Sequence, residues 1–189
     1  NITAEACVHH LWFSDKDYDR LGTRMKWNPA VKSIDDREAL REALAQNKID
    51  VIATDHAPHT LKEKEGDAIT AASGGPLVQH SLPMMMELVA NKVLSKELVV
   101  EKLCHAPAKL FKIKDRGFIR KGYIADLVLI NPNKPFMIST DNILYKCGWS
   151  PLEGDTLSTS IDTTILNGEV VFHNGEIIGK PSGQLLEFE

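Results

Sequence analysis

The sequence predicts an α/β protein in which strands and helices of a parallel sheet or barrel are followed by a β-rich tail. Three observations predict it. Residues 49–54, Ile-Asp-Val-Ile-Ala-Thr, form a short, apolar, β-branched-rich run of the kind that makes a buried parallel strand. A helix pattern at residues 33–47 connects this run to an earlier strand-like segment, giving strand, helix, strand. From Gly117 onward the pattern changes to short strands and turns. The division falls at residues 1–115 and 116–189.

Composition narrows the function classes. The 189 residues are 43% hydrophobic and 25% charged, an ordinary globular balance. A net charge of −4 offers no basic surface and argues against a nucleic-acid partner. No apolar run approaches a membrane span. Three cysteines, Cys7, Cys104 and Cys147, are odd in number and widely spaced, which points to reduced thiols and a cytoplasmic setting. There is no signal-peptide pattern, and the chain opens on Asn1 inside a strand-like run, as a cut through a longer protein would.

In chain order, residues 2–8 alternate loosely and read as a strand that ends on His9 and His10. Adjacent residues of one strand face opposite ways, so the pair is expected to be structural. Asp15, Asp17 and Asp19 imitate a calcium loop, but Arg20 and Lys26 stand where its glycine and glutamate belong, leaving a solvated acidic turn. Asn28 precedes Pro29, is therefore held extended, and can project from a loop into a pocket; the alternative is a simple Asx turn. Ser33 or Asp35 caps the helix at residues 33–47, and Asp35, Asp36 and Glu38 complement its positive end.

The strand at residues 49–54 stops on Asp55-His56-Ala57-Pro58-His59. Burying a carboxylate and two imidazoles costs several kcal/mol unless each is paired or metal-bound. The carboxyl ends of strands are where α/β folds build active sites. Residues 61–72 read as a charged loop, and the Ser73-Gly74-Gly75-Pro76 run that follows lacks the Gly-Lys-Ser/Thr of a nucleotide loop. Its glycines can admit close backbone approach to a ligand or mark a plain turn. Residues 82–93 form an apolar helix whose methionines Met84, Met85 and Met86 suit a core. Residues 96–111 form another, kinked or split at Pro107. His80 has no assigned role, and His105 is expected to be structural. The tail strands lie at residues 122–130, 163–172 and 176–178, with hairpin signals at Asn167-Gly168 and Asn174-Gly175.

Thr54-Asp55-His56-Ala57-Pro58-His59 resembles the signature of the dihydroorotase family, within the amidohydrolase superfamily of metal-dependent (β/α)8 barrels. Asn28-Pro29 matches the start of that family's Asn-Pro-Pro-Leu-Arg run, from which Ala30, Val31 and Lys32 depart. Gly122-x-x-Ala125-Asp126-Leu127-Val128 and Ser150-Pro151-Leu152-Glu153-Gly154 are also similar to family stretches. The resemblance implies the C-terminal part of such a barrel, followed by strands of a small β-sandwich. It implies reversible cyclisation of N-carbamoyl-L-aspartate to L-dihydroorotate, with one or two divalent ions, zinc above all. Asp55 would be general base then acid, and this chain's metal ligand. His59 would hold the substrate carboxylate, while Asn28, Ala72 and Gly74 would orient the ring. His56 would support Asp55. The other metal ligands would precede Asn1, so the piece alone should be inactive and metal-poor. Expected partners are the small-molecule substrate, the upstream barrel and a possible second copy in a homodimer. The rival readings are a hydantoinase or allantoinase, a non-catalytic scaffold with the same fold, and a complete small α+β protein carrying the motif by chance.

Overall fold

In the computed structural model, residues 2–189 are described; Asn1, where the cut was expected, lies outside them. Two short strands, β1 (Glu5–Cys7) and β2 (Val51–Ala53), pair in parallel with Cys7 opposite Ala53. Between them run α1 (Val8–Trp12), a 3-10 turn, α2 (Tyr18–Leu21), a second 3-10 turn and α3 (Ile34–Ala45). The strand expected through Val8 ends at Cys7, because the chain turns helical at Val8. That change puts His9 and His10 on a helix, where neighbours lie only about 100° apart around the axis, not on opposite faces.

α3 begins with a capping box. Ser33 Oγ accepts from Asp36 N at 3.2 Å, and Asp36 accepts from Ser33 N at 3.1 Å. Such a cap contributes about 1 kcal/mol. Two arginines of α3 reach the end of α1: Arg41 donates to Leu11 O at 2.8 Å and Arg37 to Trp12 O at 3.1 Å. They satisfy carbonyls that a helix end leaves without partners. At the far end of α3, Asn47 takes a left-handed φ of 59° and turns the chain toward β2.

The core lies around α1. Val8, Leu11, Met25, Leu44, Leu77, Met84 and Met85 are fully buried. Met84 and Met85 belong to α4 (Ser81–Ala90), so the methionine run is core packing, as its composition indicates. The helix expected at residues 96–111 is split into α5 (Lys96–Val100), one π-turn (Glu101–His105) and α6 (Ala106–Leu110). Pro107 sits in the first turn of α6, where its missing N–H matters least. His105 lies 3.0 Å from Glu101 and stacks on Phe118, a structural role.

The tail forms a four-stranded antiparallel sheet of β3 (Leu127–Asn131), β6 (Ser160–Leu166), β7 (Glu169–His173) and β8 (Glu176–Ile177), in that order. The stretch at residues 163–172 is thus two strands joined at Asn167-Gly168. Asn167 and Gly168, then Asn174 and Gly175, all have positive φ, as tight hairpins of this sequence require. A separate pair, β4 (Phe136–Met137) with β5 (Thr156–Leu157), packs elsewhere. Ile138, Leu152 and Leu157 join the core around α1, so this part of the tail crosses residue 115 and buries itself against the first segment.

Candidate active site

β1 and β2 point their carboxyl ends to one side of the molecule, and the chemistry-bearing residues gather there. Thr54 and Asp55 follow directly on β2. Asp55 is exposed and has a left-handed φ of 44°, a conformation Asp tolerates better than most residues. It follows two residues after Ala53, which lies opposite Cys7 at the end of β1; burial first, then the negative charges of Asp55 and Glu5, drive the Cys7 thiol up to about 11. The acid therefore sits at the mouth where both parallel strands end.

His56 turns inward. Its Nδ1 accepts from Leu77 N at 3.1 Å and Val78 N at 3.3 Å, and burial lowers its pKa. Instead of supporting Asp55 through a hydrogen bond, it ties the motif to the backbone that leads into α4. His59 is half-buried in a cleft of about 360 Å³ with Pro58, Thr60, Glu63 and Tyr145. Its Nδ1 lies 3.9 Å from Glu63, and its carbonyl accepts from Trp149 Nε1 at 2.7 Å. Trp149 is buried, so this bond pins the end of the motif to the tail segment.

Asn28 is exposed immediately after Trp27, which is buried and stacked on His9 with ring centres 4.6 Å apart. The Trp27 anchor fixes where the Asn28 loop leaves the core. Ala72 and Gly74 lie close by, since Gly74 N donates to Lys26 O at 2.9 Å. Their own donors are already used: Ala72 N bonds Glu63 O at 2.9 Å. Between them Ser73 is exposed, and among the described residues its amide has no acceptor. The amide in this run without a protein acceptor is therefore that of Ser73, between the two expected positions.

Cys7, His9 and His10 were not expected to converge. Each offers one ligand atom, and these lie within 4.8 Å of one another. His9 is fully buried, both ring nitrogens lack partners, and burial with the nearby His10 lowers its pKa to about 3. His10 Nε2 lies 3.0 Å from Pro29 O. A thiol and two imidazoles are donors that suit zinc. The helical turn at Val8, invisible in the alternation of residues 2–8, brings them together. Among the described residues no other group of three such side chains forms, so Asp55 has no ready-made ligand set around it. The larger cavity, about 590 Å³, lies between α4 and the tail sheet and contains none of these residues. Volume alone would point there, but the lining has no carboxylate, and its titratable side chains are His80 and Lys134.

A carboxylate at the end of two parallel strands, beside a positioned histidine and a glycine-containing loop, is an arrangement that suits hydrolytic chemistry. The chain belongs to the amidohydrolase family, which it matches over residues 1–171. It is 37% identical over 183 residues to the dihydroorotase of Pyrococcus furiosus, covering 97% of this chain and 42% of that protein. It is 40% identical over 174 residues to the dihydroorotase of Halobacterium salinarum, covering 89% and 41%. Among solved structures, the L-hydantoinase of Arthrobacter aurescens superposes with a TM-score of 0.88 at 31% identity, covering 94% of this chain and 41% of that one. A D-hydantoinase gives 0.87 at 25%, covering 95% and 41%. The chain spans about two fifths of the length of these relatives. No helix among the described residues is long and apolar enough to cross a membrane.

Proposed function

We propose that this chain is the C-terminal part of a dihydroorotase, a cytoplasmic enzyme of pyrimidine biosynthesis that interconverts N-carbamoyl-L-aspartate and L-dihydroorotate. The single observation carrying the reading is Asp55, at the carboxyl end of β2 beside the end of β1, within Thr54-Asp55-His56-Ala57-Pro58-His59. The relatives' name supports the substrate.

In the hydrolytic direction Asp55 takes a proton from the attacking water as its oxygen bonds the ring amide carbon. The C–N bond then breaks, and Asp55 returns that proton to the leaving ring nitrogen. Cyclisation runs the same steps backward. His59 donates an imidazole N–H to the substrate carboxylate; with Nδ1 facing Glu63, Nε2 is the nitrogen left for it. Asn28 and the backbone at residues 72–74 orient the ring.

One carboxylate does not make a zinc site, and the residues around Asp55 do not complete one. The remaining ligands would come from the part of the protein this chain does not span. A divalent metal held there with Asp55, zinc in our reading, would supply Lewis-acid activation of water and carbonyl. The sheet β3–β6–β7–β8 would be one layer of a small β-sandwich, and a boundary near residue 115 suits that sheet but not the β4–β5 segment. A homodimer fits the reading without being required by it.

The test is an assay of the whole protein with dihydroorotate and with hydantoin. Turnover of dihydroorotate that falls steeply in Asp55→Asn supports the proposal; turnover of hydantoin alone refutes it. The second reading, a hydantoinase, is favoured by the fit to the Arthrobacter enzyme. A neutral hydantoin ring has no carboxylate for His59, so His59→Ala should weaken dihydroorotate binding and spare hydantoin.

A further inference from the structure

Lys64, in the loop after the motif, is 2% exposed although the mechanism above gives it nothing to do. Its ammonium donates to Ala72 O and Gly74 O at 2.8 Å and to Lys26 O at 3.1 Å. An ammonium has three N–H donors and no acceptor, so these bonds saturate it. Among the described residues no carboxylate pairs with it. A buried cation without a counter-ion is expensive, and packing alone would be served better by Leu or Met. The three carbonyls come from two segments that are distant in sequence, and these are the segments that carry Asn28 and the free amide of Ser73. The link is reinforced from the other side: Lys26 donates to Ile69 O at 3.2 Å and to Ala71 O. Lys26 O also accepts from Gly74 N at 2.9 Å.

We propose that Lys64 is a positioning residue whose ammonium sets the spacing between the Asn28 loop and the backbone at residues 72–74, and thereby the affinity for the cyclic substrate. This rests on the reading that these two segments orient the substrate ring. Asp55 lies on the same connection between β2 and α4, but it follows β2 directly and makes no hydrogen bond to Lys64, so the tie acts first on binding.

The groups facing Lys64 give it a pH signature. Burial first, then the positive charge of Lys26, lowers its pKa to about 8. The neighbouring Glu63 is turned away, accepting from Thr60 N at 2.7 Å and facing His59. Loss of the proton leaves two donors for three carbonyls.

The test uses the full-length, metal-loaded protein and two variants, Lys64→Met and Lys64→Arg. Stranding buried carbonyls should raise KM for dihydroorotate about 10- to 100-fold in Lys64→Met, with kcat within about threefold of wild type. Lys64→Arg, which keeps charge and donors, should recover most of that loss. Wild-type KM should climb above pH 8, whereas Lys64→Arg, whose guanidinium stays charged, should stay flat. A folded Lys64→Met with wild-type KM, or with lost kcat at unchanged KM, overturns the proposal. Should Lys64→Met not fold, the pH comparison of wild type with Lys64→Arg decides: parallel profiles overturn it. Should the wild-type protein not turn over dihydroorotate, the functional reading fails by itself. Hydrogen exchange at the Ala72 and Gly74 amides then reports on the tie, and equal protection in wild type and Lys64→Arg at pH 9.5 overturns it.

Discussion

Gly74→Ala isolates how tightly the site loops are packed. Gly74 has φ of +118°, and a Cβ there would lie 2.6 Å from Ala57 O and 2.7 Å from Ala57 Cβ. Two costs follow. The backbone conformation is one that L side chains rarely adopt, worth about 1–3 kcal/mol. The clash is with backbone, not with a flexible side-chain tip, and overpacking of this kind costs about 1–3 kcal/mol more. The total is about 2–6 kcal/mol, and relief requires moving the loop that holds Asp55 and His59. Gly148→Ala is the matched control: φ is +75°, but a Cβ meets nothing within 4 Å. Urea unfolding of both variants separates the two costs, and steady-state kinetics shows the displaced loop as a raised KM with a lowered kcat. If Gly74→Ala is no less stable than Gly148→Ala and keeps wild-type kinetics, the close contact between the 72–74 backbone and the motif is refuted.

Three further outcomes are expected. Asp55→Asn should lower kcat about 10²- to 10⁴-fold, while the unfolding midpoint stays near wild type because the side chain is exposed; a large stability loss would mean Asp55 is structural. His80 is buried beside Tyr145 OH at 3.2 Å and Ser150 Oγ at 3.3 Å, and burial lowers its pKa to about 4. As pH falls below the ordinary histidine value of 6.5, the unfolded chain binds a proton that the folded one refuses. Stability is therefore intact above pH 6.5 and lost progressively down to about 4, with about 3 kcal/mol at stake. Urea midpoints at pH 7, 5.5 and 4.5 should trace that decline in wild type and a shallower one in His80→Gln. Finally, Lys102 is buried on the π-turn and donates to Ile49 O at 2.6 Å and to Asn47. Lys102→Met should cost about 1–3 kcal/mol by stranding the carbonyl that leads into β2, read as a lower unfolding midpoint.

Several parts of the fold were legible without coordinates. The Ser33 cap, the β-branched run into Asp55, the methionine-rich helix and the Asn-Gly hairpins each depend on interactions within a few residues, which local sequence encodes. The motif ending on His59 identified the family for the same reason: a strand tip with charged groups is written in consecutive residues. The turn at Val8 was not legible, because the arginines that close α1 come from α3, about 30 residues away. The meeting of Cys7, His9 and His10 followed from that turn. Nor could local sequence assign His56 to the Leu77–Val78 backbone, or show that Ala72 and Gly74 had already spent their amides. Lys64 looked like one more charge in a charged loop, and only the folded chain brought three distant carbonyls to its ammonium. Residue order by itself determined the family and the carboxylate- and imidazole-bearing motif that ends β2. Tertiary structure decided which donors around that motif are already bonded, because a hydrogen bond between distant segments depends on where they pack.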